Sequence, residues 1–302
     1  MKFSAVRDFI AVAERGSLRA ASRYLDIPQP TITRSIQELE KELGVPLFER
    51  SARGVQLTSM GQAFLRRANA VRSELQHAKD EIAQLKGEMH GSLTVAMSSV
   101  PHLALLPGAL KPFRSRFHGV TLRLIDAVLP KVEASLKDGT IDVYIGPALK
   151  ESSDLRREKL FDNTFVILGR KGHPLANASS LAELVDAEWI TTSITAKTDE
   201  GLNPLFRQYG LPPPRLVMQA ESSLSFLVSM AYSDLLMMLP VQWLQFPLWQ
   251  DVLQEIRVKE VLPAPPICIV HREGMPLTPA AEYFCDMVRR SIGHLQKLSR
   301  QR

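Results

Sequence analysis

The side chains of this chain best suited to specific hydrogen bonding with a partner lie between Ser17 and Gln37. Glutamine can pair bidentately with adenine, arginine can pair with guanine, and threonine can offer thymine a hydroxyl or a methyl. Such contacts are made from the N-terminal part of a helix that enters the major groove of DNA. We therefore predict a surface that reads DNA bases. Its predicted members are Ser17, Gln29, Pro30, Thr31, Thr33, Arg34 and Gln37.

Two short helices with a tight turn between them would present these side chains. Ser17 is a good helix N-cap, and the apolar spacing after it predicts a helix from Leu18 to Leu25. Pro28 and Pro30 predict a turn over residues 26–29 and a second helix that begins near Pro30. The buried stripe of that helix would consist of Ile32, Ile36, Leu39 and Leu43. An ordinary helical hairpin with a solvated polar face would show the same spacing.

Supporting elements are predicted on both sides of this pair. A first helix from about Phe3 to Glu14 carries an apolar face that can cover the two helices. After Gly44 the run VPLFERSARGVQLT predicts a short hairpin, or wing, that carries Arg50 and Arg53. Arginines in a wing can hold phosphate or enter the minor groove.

A long helix is predicted between Gln62 and Lys86, which contains neither proline nor glycine. Its apolar residues recur at steps of three and four, the spacing of a coiled-coil seam. A lone helix with one narrow apolar stripe needs a partner, and the same helix of a second subunit is the natural one. The alternative is a helix packed on its own C-terminal domain. The predicted dimerisation residues are Phe64, Val71, Leu75 and Ile82.

Beyond residues 87–91 the pattern changes to strands that alternate with helices. SLTVAMSS, VTLRLIDA and IDVYIG predict three strands, with helices near Leu103 to Arg116 and Val132 to Asp138 between them. This alternation predicts a parallel α/β sheet. A second α/β unit begins at FDNTFVILGRKGHPLA, and the last strand and helix return to the first unit. We therefore predict two subdomains joined by two crossings.

A ligand cleft is predicted at the carboxyl ends of these strands, where α/β folds bind ligands. Ser98 and Ser99 offer hydroxyls and backbone N–H groups near a helix start, which favour an anion. A small organic acid with an apolar body, such as a substituted aromatic carboxylate or sulfonate, suits this lining. Serine and threonine also cap strand ends without binding a ligand, so this alternative stays open. The predicted lining is Ser98, Ser99, Val100, His102, Val128, Pro130, Gly146, Pro147, Thr195, Thr198 and Asn203.

The composition argues against several other classes. With 302 residues, 45% of them hydrophobic and 23% charged, the chain is typical of a soluble protein of about two domains. Two cysteines and no apolar run of about 18 residues predict a cytoplasmic protein without a disulfide scaffold or a membrane span. The net charge of +5 favours an acidic partner only mildly. Phosphate-loop, dinucleotide and H-E-x-x-H motifs are absent from the sequence, so no metal, cofactor or enzymatic activity is predicted.

The run from Ser17 to Gly61 resembles the N-terminal domain of LysR-type transcriptional regulators. The resemblance is carried by AASxxL (20–25), QPxxTRxIxxLExxLGVPLFER (29–50) and LTxxG (57–61). The family often has serine where this chain has Pro28 and Thr33, and alanine where it has Met60. Thr33 keeps the hydroxyl, so base contact there is still expected.

The C-terminal half resembles the effector domain of the same family, which is similar to periplasmic solute-binding proteins. The resemblance is carried by residues 92–99, by IDVYIG with Pro147, by LxxxxHPLA (168–176) and by MLP, which ends at Pro240. Where the family usually has a G-x-G turn before that last strand, this chain has Ser233, Asp234 and Leu235.

The resemblance implies three regions: a winged helix-turn-helix DNA-binding domain (1–58), a linker and dimerisation helix (59–88) and an effector-binding domain (89–302). Within the last, subdomain I comprises about 89–162 and 266–302, and subdomain II about 163–265. The expected fold is thus α/β with an all-α N-terminal part. The expected protein is a homotetramer, a dimer of dimers, that binds double-stranded promoter DNA, responds to a small-molecule inducer, and activates or represses a neighbouring operon. RNA polymerase is a possible further partner. The alternative is a small-molecule binding protein or enzyme with a vestigial DNA-binding head.

Overall fold

The structure is a computed structural model that describes residues 1–51, 54–148, 153–192, 201–245 and 247–299. Helices in these residues are α1 (Phe3–Arg15), α2 (Leu18–Leu25), α3 (Gln29–Leu43), α4 (Ser59–Leu85), α5 (Ser99–Ala104), α6 (Leu106–Arg116), α7 (Leu129–Lys137), α8 (Leu202–Gln208), α9 (Ser223–Ala231), α10 (Gln242–Gln245) and α11 (Pro279–Ser299). Strands are β1 (Phe48–Ser51), β2 (Gly54–Leu57), β3 (His90–Met97), β4 (Gly119–Asp126), β5 (Val143–Pro147), β6 (Leu155–Arg170), β7 (Glu188–Thr191), β8 (Arg215–Gln219), β9 (Met237–Pro240), β10 (Leu253–Ile256) and β11 (Pro263–Arg272).

The described residues among positions 1–58 form a helical head with a two-stranded wing. α2 has the predicted bounds, because the Ser17 side chain accepts a hydrogen bond from the Ala20 N–H at its start. At its end Asp26 takes the left-handed conformation, which aspartate tolerates better than most residues. The core of the head is built around Phe9, whose ring lies 5.0 Å from that of Phe48 at the root of the wing.

The start of α4 belongs to the same head. Thr58 caps the helix by accepting from the Gly61 N–H at 2.9 Å, and its own hydroxyl donates to the Pro46 carbonyl. A Cβ on Gly61 would lie 2.0 Å from the Leu47 carbonyl oxygen. The glycine of the LTxxG motif therefore lets α4 approach the root of the wing.

The sheet of the C-terminal region is mixed, whereas a parallel sheet was expected. β3 pairs in parallel with β4 and β5, as the alternation predicted. β11 pairs antiparallel with both β5 and β6, and β6 continues into antiparallel pairs with β9 and β10. The difference arises because β6 has 16 residues and β11 has ten, so these two strands cross between the subdomains side by side.

Each subdomain has its own apolar core on the faces of this sheet. The core of subdomain I lies between the parallel strands and the helices α6 and α11, with Phe113 and Phe284 in edge-to-face contact. Subdomain II has one core around Met230 and Trp243, and a second around Trp189. Irregular register between Ala264 and Cys268 in β11 marks the region where the strands pass from one subdomain to the other.

Candidate DNA-binding and effector-binding sites

Six of the seven predicted base-reading residues lie together in the N-terminal part of α3. Ile32, Ile36 and Leu39 are buried in the head, which turns the opposite side of the helix to solvent. Gln29, Pro30, Thr31, Arg34 and Gln37 are exposed there. The Thr33 hydroxyl donates to the Gln29 carbonyl at 3.0 Å. Ser17 stands apart, as the cap of α2.

Arg34 is the one cation among the predicted base-reading residues, and it is paired. Its Nε donates to Glu38 Oε1 at 2.8 Å, and the two side chains are 82% and 59% exposed. The hydrogen bond and charge of the guanidinium lower the pKa of the Glu38 carboxyl. An exposed pair of this kind contributes little to stability, so Arg34 can leave Glu38 at small cost when a better acceptor approaches.

The wing is held by a residue that spacing did not single out. Glu40 Oε1 accepts from the backbone N–H groups of Leu47 at 2.7 Å and Phe48 at 3.1 Å. This carboxylate joins α3 to the root of the wing. The strand β1 contains Arg50, while Arg53 falls outside the described residues. The only sequence signal for this role was the presence of Glu40 in the motif that extends over residues 29–50.

The predicted cleft residues of subdomain I lie near the carboxyl ends of its parallel strands. Ser98 directly follows β3, Val128 lies two residues beyond β4, and Gly146 is the last residue but one of β5. The Ser98 N–H donates to the Ile145 carbonyl at 3.0 Å. Ser98 is 5% exposed, and its Oγ has no hydrogen-bond partner within the described parts of the chain. A Cβ on Gly146 would lie 2.9 Å from that oxygen. Glycine therefore lets the Ser98 hydroxyl lie close to the backbone of β5.

Tyr144 is a neighbour of Ser98 and Gly146 that the sequence did not reveal. Its side chain is fully buried, and its hydroxyl donates to the Pro147 carbonyl at 3.3 Å. A Cβ on Gly146 would lie 2.3 Å from this hydroxyl. Burial raises the pKa of Tyr144 far above its ordinary value, so it stays a neutral donor. In the pattern IDVYIG the tyrosine looks like an ordinary buried strand residue.

The remaining predicted cleft residues differ in their exposure to solvent. Val100 is buried, Ser99, Val128 and Pro147 are half-buried, and Pro130 is exposed. The His102 Nδ1 donates to the Ser98 carbonyl at 2.9 Å, so it is engaged locally. Asn203 lies at the start of α8, while Thr195 and Thr198 fall outside the described residues.

Contacts between the subdomains, within the described residues, include a helix packing and an ion pair. Helix α5 of subdomain I packs against α10 of subdomain II, and Leu103 joins the core of subdomain II. Lys131 Nζ of α7 lies 3.5 Å from Glu221 Oε2, which follows β8. The predicted cleft would therefore lie between subdomains that already touch.

The predicted dimerisation residues divide into two groups. The ring of Phe64 lies 5.0 Å from that of Phe9 and packs against the core of the head. The predicted seam is therefore corrected by removing Phe64, because α4 begins inside the head and Phe64 packs there. Val71, Leu75 and Ile82 stay 45%, 42% and 55% exposed along one face of α4.

Within the described ranges, no group of histidine, cysteine or acidic side chains could hold a metal ion. Nor is any helix in those ranges long and apolar enough to cross a membrane.

Comparison with known proteins identifies both halves of the chain. The family described as "Bacterial regulatory helix-turn-helix protein, lysR family" matches residues 3–62, and "LysR substrate binding domain" matches residues 86–293. GbpR of Azospirillum brasilense, an HTH-type transcriptional regulator, is 27% identical over 239 residues, which are 78% of this chain and 70% of GbpR. TfdS of Cupriavidus pinatubonensis, another such regulator, is 37% identical over 176 residues, 56% of this chain and 58% of TfdS.

Solved structures agree over nearly the whole length. The crystal structure of CbnR, a LysR family transcriptional regulator, aligns with a TM-score of 0.69 and 25% identity, covering 96% of this chain and 99% of CbnR. Full-length CbnR complexed with its target DNA aligns with the same TM-score and identity, covering 96% of this chain and 100% of that one.

Head, linker helix and two-lobed C-terminal domain together define a DNA-binding transcription regulator that carries a small-molecule binding domain. The chain belongs to the LysR family of bacterial regulators. The matched relatives are named as transcriptional regulators, which confirms the prediction of a regulator over that of an enzyme.

Proposed function

We propose that this protein controls a neighbouring operon in response to a small organic acid that binds between its effector subdomains. The observation that carries this proposal is the buried Ser98 hydroxyl, which has no hydrogen-bond partner in the described residues. Leaving such a group unpaired costs about 1–3 kcal/mol. A ligand that supplies the missing partner would offset this cost and thereby favour the bound state.

The surroundings of Ser98 support an acid with an apolar body. The Ser98 hydroxyl and the neutral Tyr144 hydroxyl both lie against Gly146, where any side chain would collide with them. Val100 and Pro147 supply apolar contacts, while Ser99 adds a second hydroxyl close by. Hydrogen bonds to a charged group contribute about 1.5–3 kcal/mol each, so two hydroxyls can select a carboxylate or sulfonate over a neutral analogue.

Binding is coupled to DNA by the position of the two subdomains. A ligand shifts a conformational equilibrium only by its difference in affinity between the two states. The exposed pair of Lys131 and Glu221 joins the two subdomains. Because exposed pairs contribute less than about 1 kcal/mol, this contact can break and re-form as the cleft opens and closes.

On DNA, we assign base contacts to the exposed side chains of α3 and phosphate or minor-groove contacts to Arg50 and Arg53. Arg34 would exchange Glu38 for a guanine edge, which offers two acceptors to one guanidinium. The Ser17 hydroxyl already accepts from Ala20, but its own proton is available for a phosphate oxygen.

Self-association is assigned to two apolar surfaces. The seam of α4, comprising Val71, Leu75 and Ile82, would join two protomers and so pair two DNA-binding heads. A second surface lies on subdomain II, where α9 exposes Leu224 by 67% and Val228 by 49%. Two independent surfaces on one chain allow a dimer of dimers.

The effector proposal is tested by screening small aromatic and aliphatic acids for a rise in melting temperature, since a ligand that binds only the folded state stabilises it. The hits are then tested on a Ser98→Ala, Ser99→Ala double variant. We expect this variant to fold, to bind promoter DNA like the parent, and to lose the response to the acid. Ser115→Ala on the exposed side of α6 is the matched control and should respond normally. A double variant whose promoter footprint still changes with the acid would refute the assignment.

DNA binding is tested separately by measuring promoter affinity against salt concentration. Displaced counterions make the affinity of a phosphate-binding protein fall steeply with salt. Affinity that is absent, or that does not change with salt, would instead support a binding protein with a vestigial head.

A further inference from the structure

Helix α4 has a second, polar face that the apolar seam does not use. Glu74, His77, Asp80 and Gln84 follow one another at steps of three, three and four residues. At about 100° per residue, this spacing places them on one side of the helix, roughly opposite Leu75. The helix therefore presents apolar residues in one direction and hydrogen-bonding residues in the other.

Every residue of this polar face contacts the effector domain of the same chain. Glu74 forms an ion pair with Arg272, and His77 Nε2 lies 2.6 Å from Asp142 Oδ1. Asp80 Oδ2 accepts from the Ser92 N–H at 3.1 Å, and Gln84 Oε1 accepts from the Ala280 N–H at 2.9 Å. The partners belong to β3, β11 and α11 and to the turn before β5, all of which are parts of subdomain I.

These contacts are shielded from solvent. Asp80 is 3% exposed and Gln84 is 5% exposed, so their hydrogen bonds are not open to competing water. The His77 and Asp142 side chains retain 24% and 11% of their exposure. Asp142 is held in turn, because its second oxygen accepts from the Thr94 N–H at 2.7 Å.

The charges around His77 favour its protonated form. Asp142 faces the ring from the turn before β5, and Glu74 and Asp80 flank it on α4. Arg272 of β11 is the opposing cation, and it is paired with Glu74. The other residues that line the small cavity beside His77 are uncharged. The hydrogen bond that the His77 ring donates to Asp142 is the main cause of a raised His77 pKa, and burial opposes this shift.

We propose that Glu74, His77, Asp80 and Gln84 form a polar clamp that holds α4 on subdomain I, and that protonation of His77 tightens it. The four are positioning residues: they set the orientation of α4, and with it the DNA-binding head, relative to the effector domain. Subdomain I and α4 then move as one unit. A motion driven by ligand binding therefore displaces subdomain II relative to that unit.

The sign of the pH dependence follows from the raised pKa of His77. A group whose pKa is higher in the folded state contributes its full stabilisation below its ordinary value of about 6.5. That contribution is lost as the pH rises through the folded-state pKa. The clamp is therefore tighter at about pH 6 than at about pH 8.5, on either side of the range in which histidine titrates.

Limited proteolysis of the full-length protein tests the clamp. Lys86 and Lys171 are exposed and each precedes a glycine, so trypsin meets the same dipeptide at both sites. Lys86 lies at the end of the clamped helix, whereas Lys171 lies in subdomain II. The ratio of the two cleavage rates cancels the pH dependence of trypsin and reports how often the clamp opens. We expect this ratio to rise about fivefold in the parent from about pH 6 to about pH 8.5, the difference between a charge-assisted and a neutral hydrogen bond.

Variants separate the charge of His77 from its packing. His77→Gln keeps a hydrogen-bonding side chain but cannot be charged, so its ratio should be high and the same at both pH values. His90→Gln is the matched control, because His90 is 62% exposed near the same junction; it should behave like the parent. Asp142→Asn replaces His77→Gln if that variant does not fold by circular dichroism. A parent ratio that does not change with pH, or a His77→Gln ratio that changes as much as the parent's, would overturn the proposal.

Discussion

Replacing Leu75 is the sharpest test of how two protomers meet. Leu75 is 42% exposed in the single chain, between Val71 and Ile82 on the same face of α4. Fully burying a leucine side chain contributes about 1.5–3 kcal/mol, so covering the remaining exposed part contributes about 1 kcal/mol per protomer. The residue occurs twice in a dimer, which gives about 2 kcal/mol.

Two substitutions at this position should have graded effects. Leu75→Ala should raise the dissociation constant of the seam about 30-fold, which corresponds to about 2 kcal/mol. Leu75→Glu should dissociate the two protomers at this interface at low micromolar protein concentration, because association would bury an unpaired carboxylate from each protomer.

Sedimentation velocity measures the outcome directly. The molar mass of the largest species should halve in Leu75→Glu, with helical content unchanged by circular dichroism. The matched control is Gln62→Glu, an exposed position of α4 well away from the seam, and it should sediment like the parent. Affinity for DNA with two half-sites should fall in Leu75→Glu, because the second head loses its high effective concentration. A folded Leu75→Glu variant of unchanged mass would refute the assignment of this face to self-association.

Three further predictions concern DNA readout, the head and the effector domain. Arg34→Ala should relax the preference at one base pair by about 1–3 kcal/mol in competition binding; an equal loss on all sequences would show a phosphate contact instead. Gly61→Ala should lower the melting temperature of the head, although alanine is about 1 kcal/mol better than glycine in helices, because its Cβ would meet the Leu47 carbonyl. Glu158→Gln removes a carboxylate that accepts two hydrogen bonds from Arg289, which lowers the pKa of Glu158. The ion pair should stabilise the parent by less than about 1 kcal/mol, because the site is half-exposed. This stabilisation should be present at neutral pH and lost as the pH falls through the lowered pKa of Glu158, which urea denaturation of parent and variant at neutral and at acidic pH would show.

The head was largely predictable from sequence because its signals are local. A capping serine at position 17, two prolines and Gly44 set the ends of α2 and α3 within a residue or two. Helical periodicity then identified Ile32 and Ile36 as buried, which left the predicted base-reading residues on the other side. Only short-range stereochemistry and a 3.6-residue repeat are needed for this.

The effector domain was predictable in its order of elements but not in how they pair. Alternating strands and helices indicated β3, β4 and β5, which are indeed parallel. The antiparallel pairing of β6 with β11 depends on two segments about a hundred residues apart in sequence. The composition of a strand does not specify its neighbour, and the direction of that neighbour is set only when the chain folds back.

Helix α4 shows which features the sequence by itself could predict and which it could not. Periodicity determined that one face is apolar, and that face is exposed in the single chain. It could not determine that the opposite face is held by its own effector domain, since polar residues on a helix look the same whether solvated or bonded. The hydrogen bond from Ala280 to Gln84 spans 196 residues of sequence. Only the tertiary structure brings such groups together, because the geometry that pairs them is a property of the packed subdomain and not of either segment.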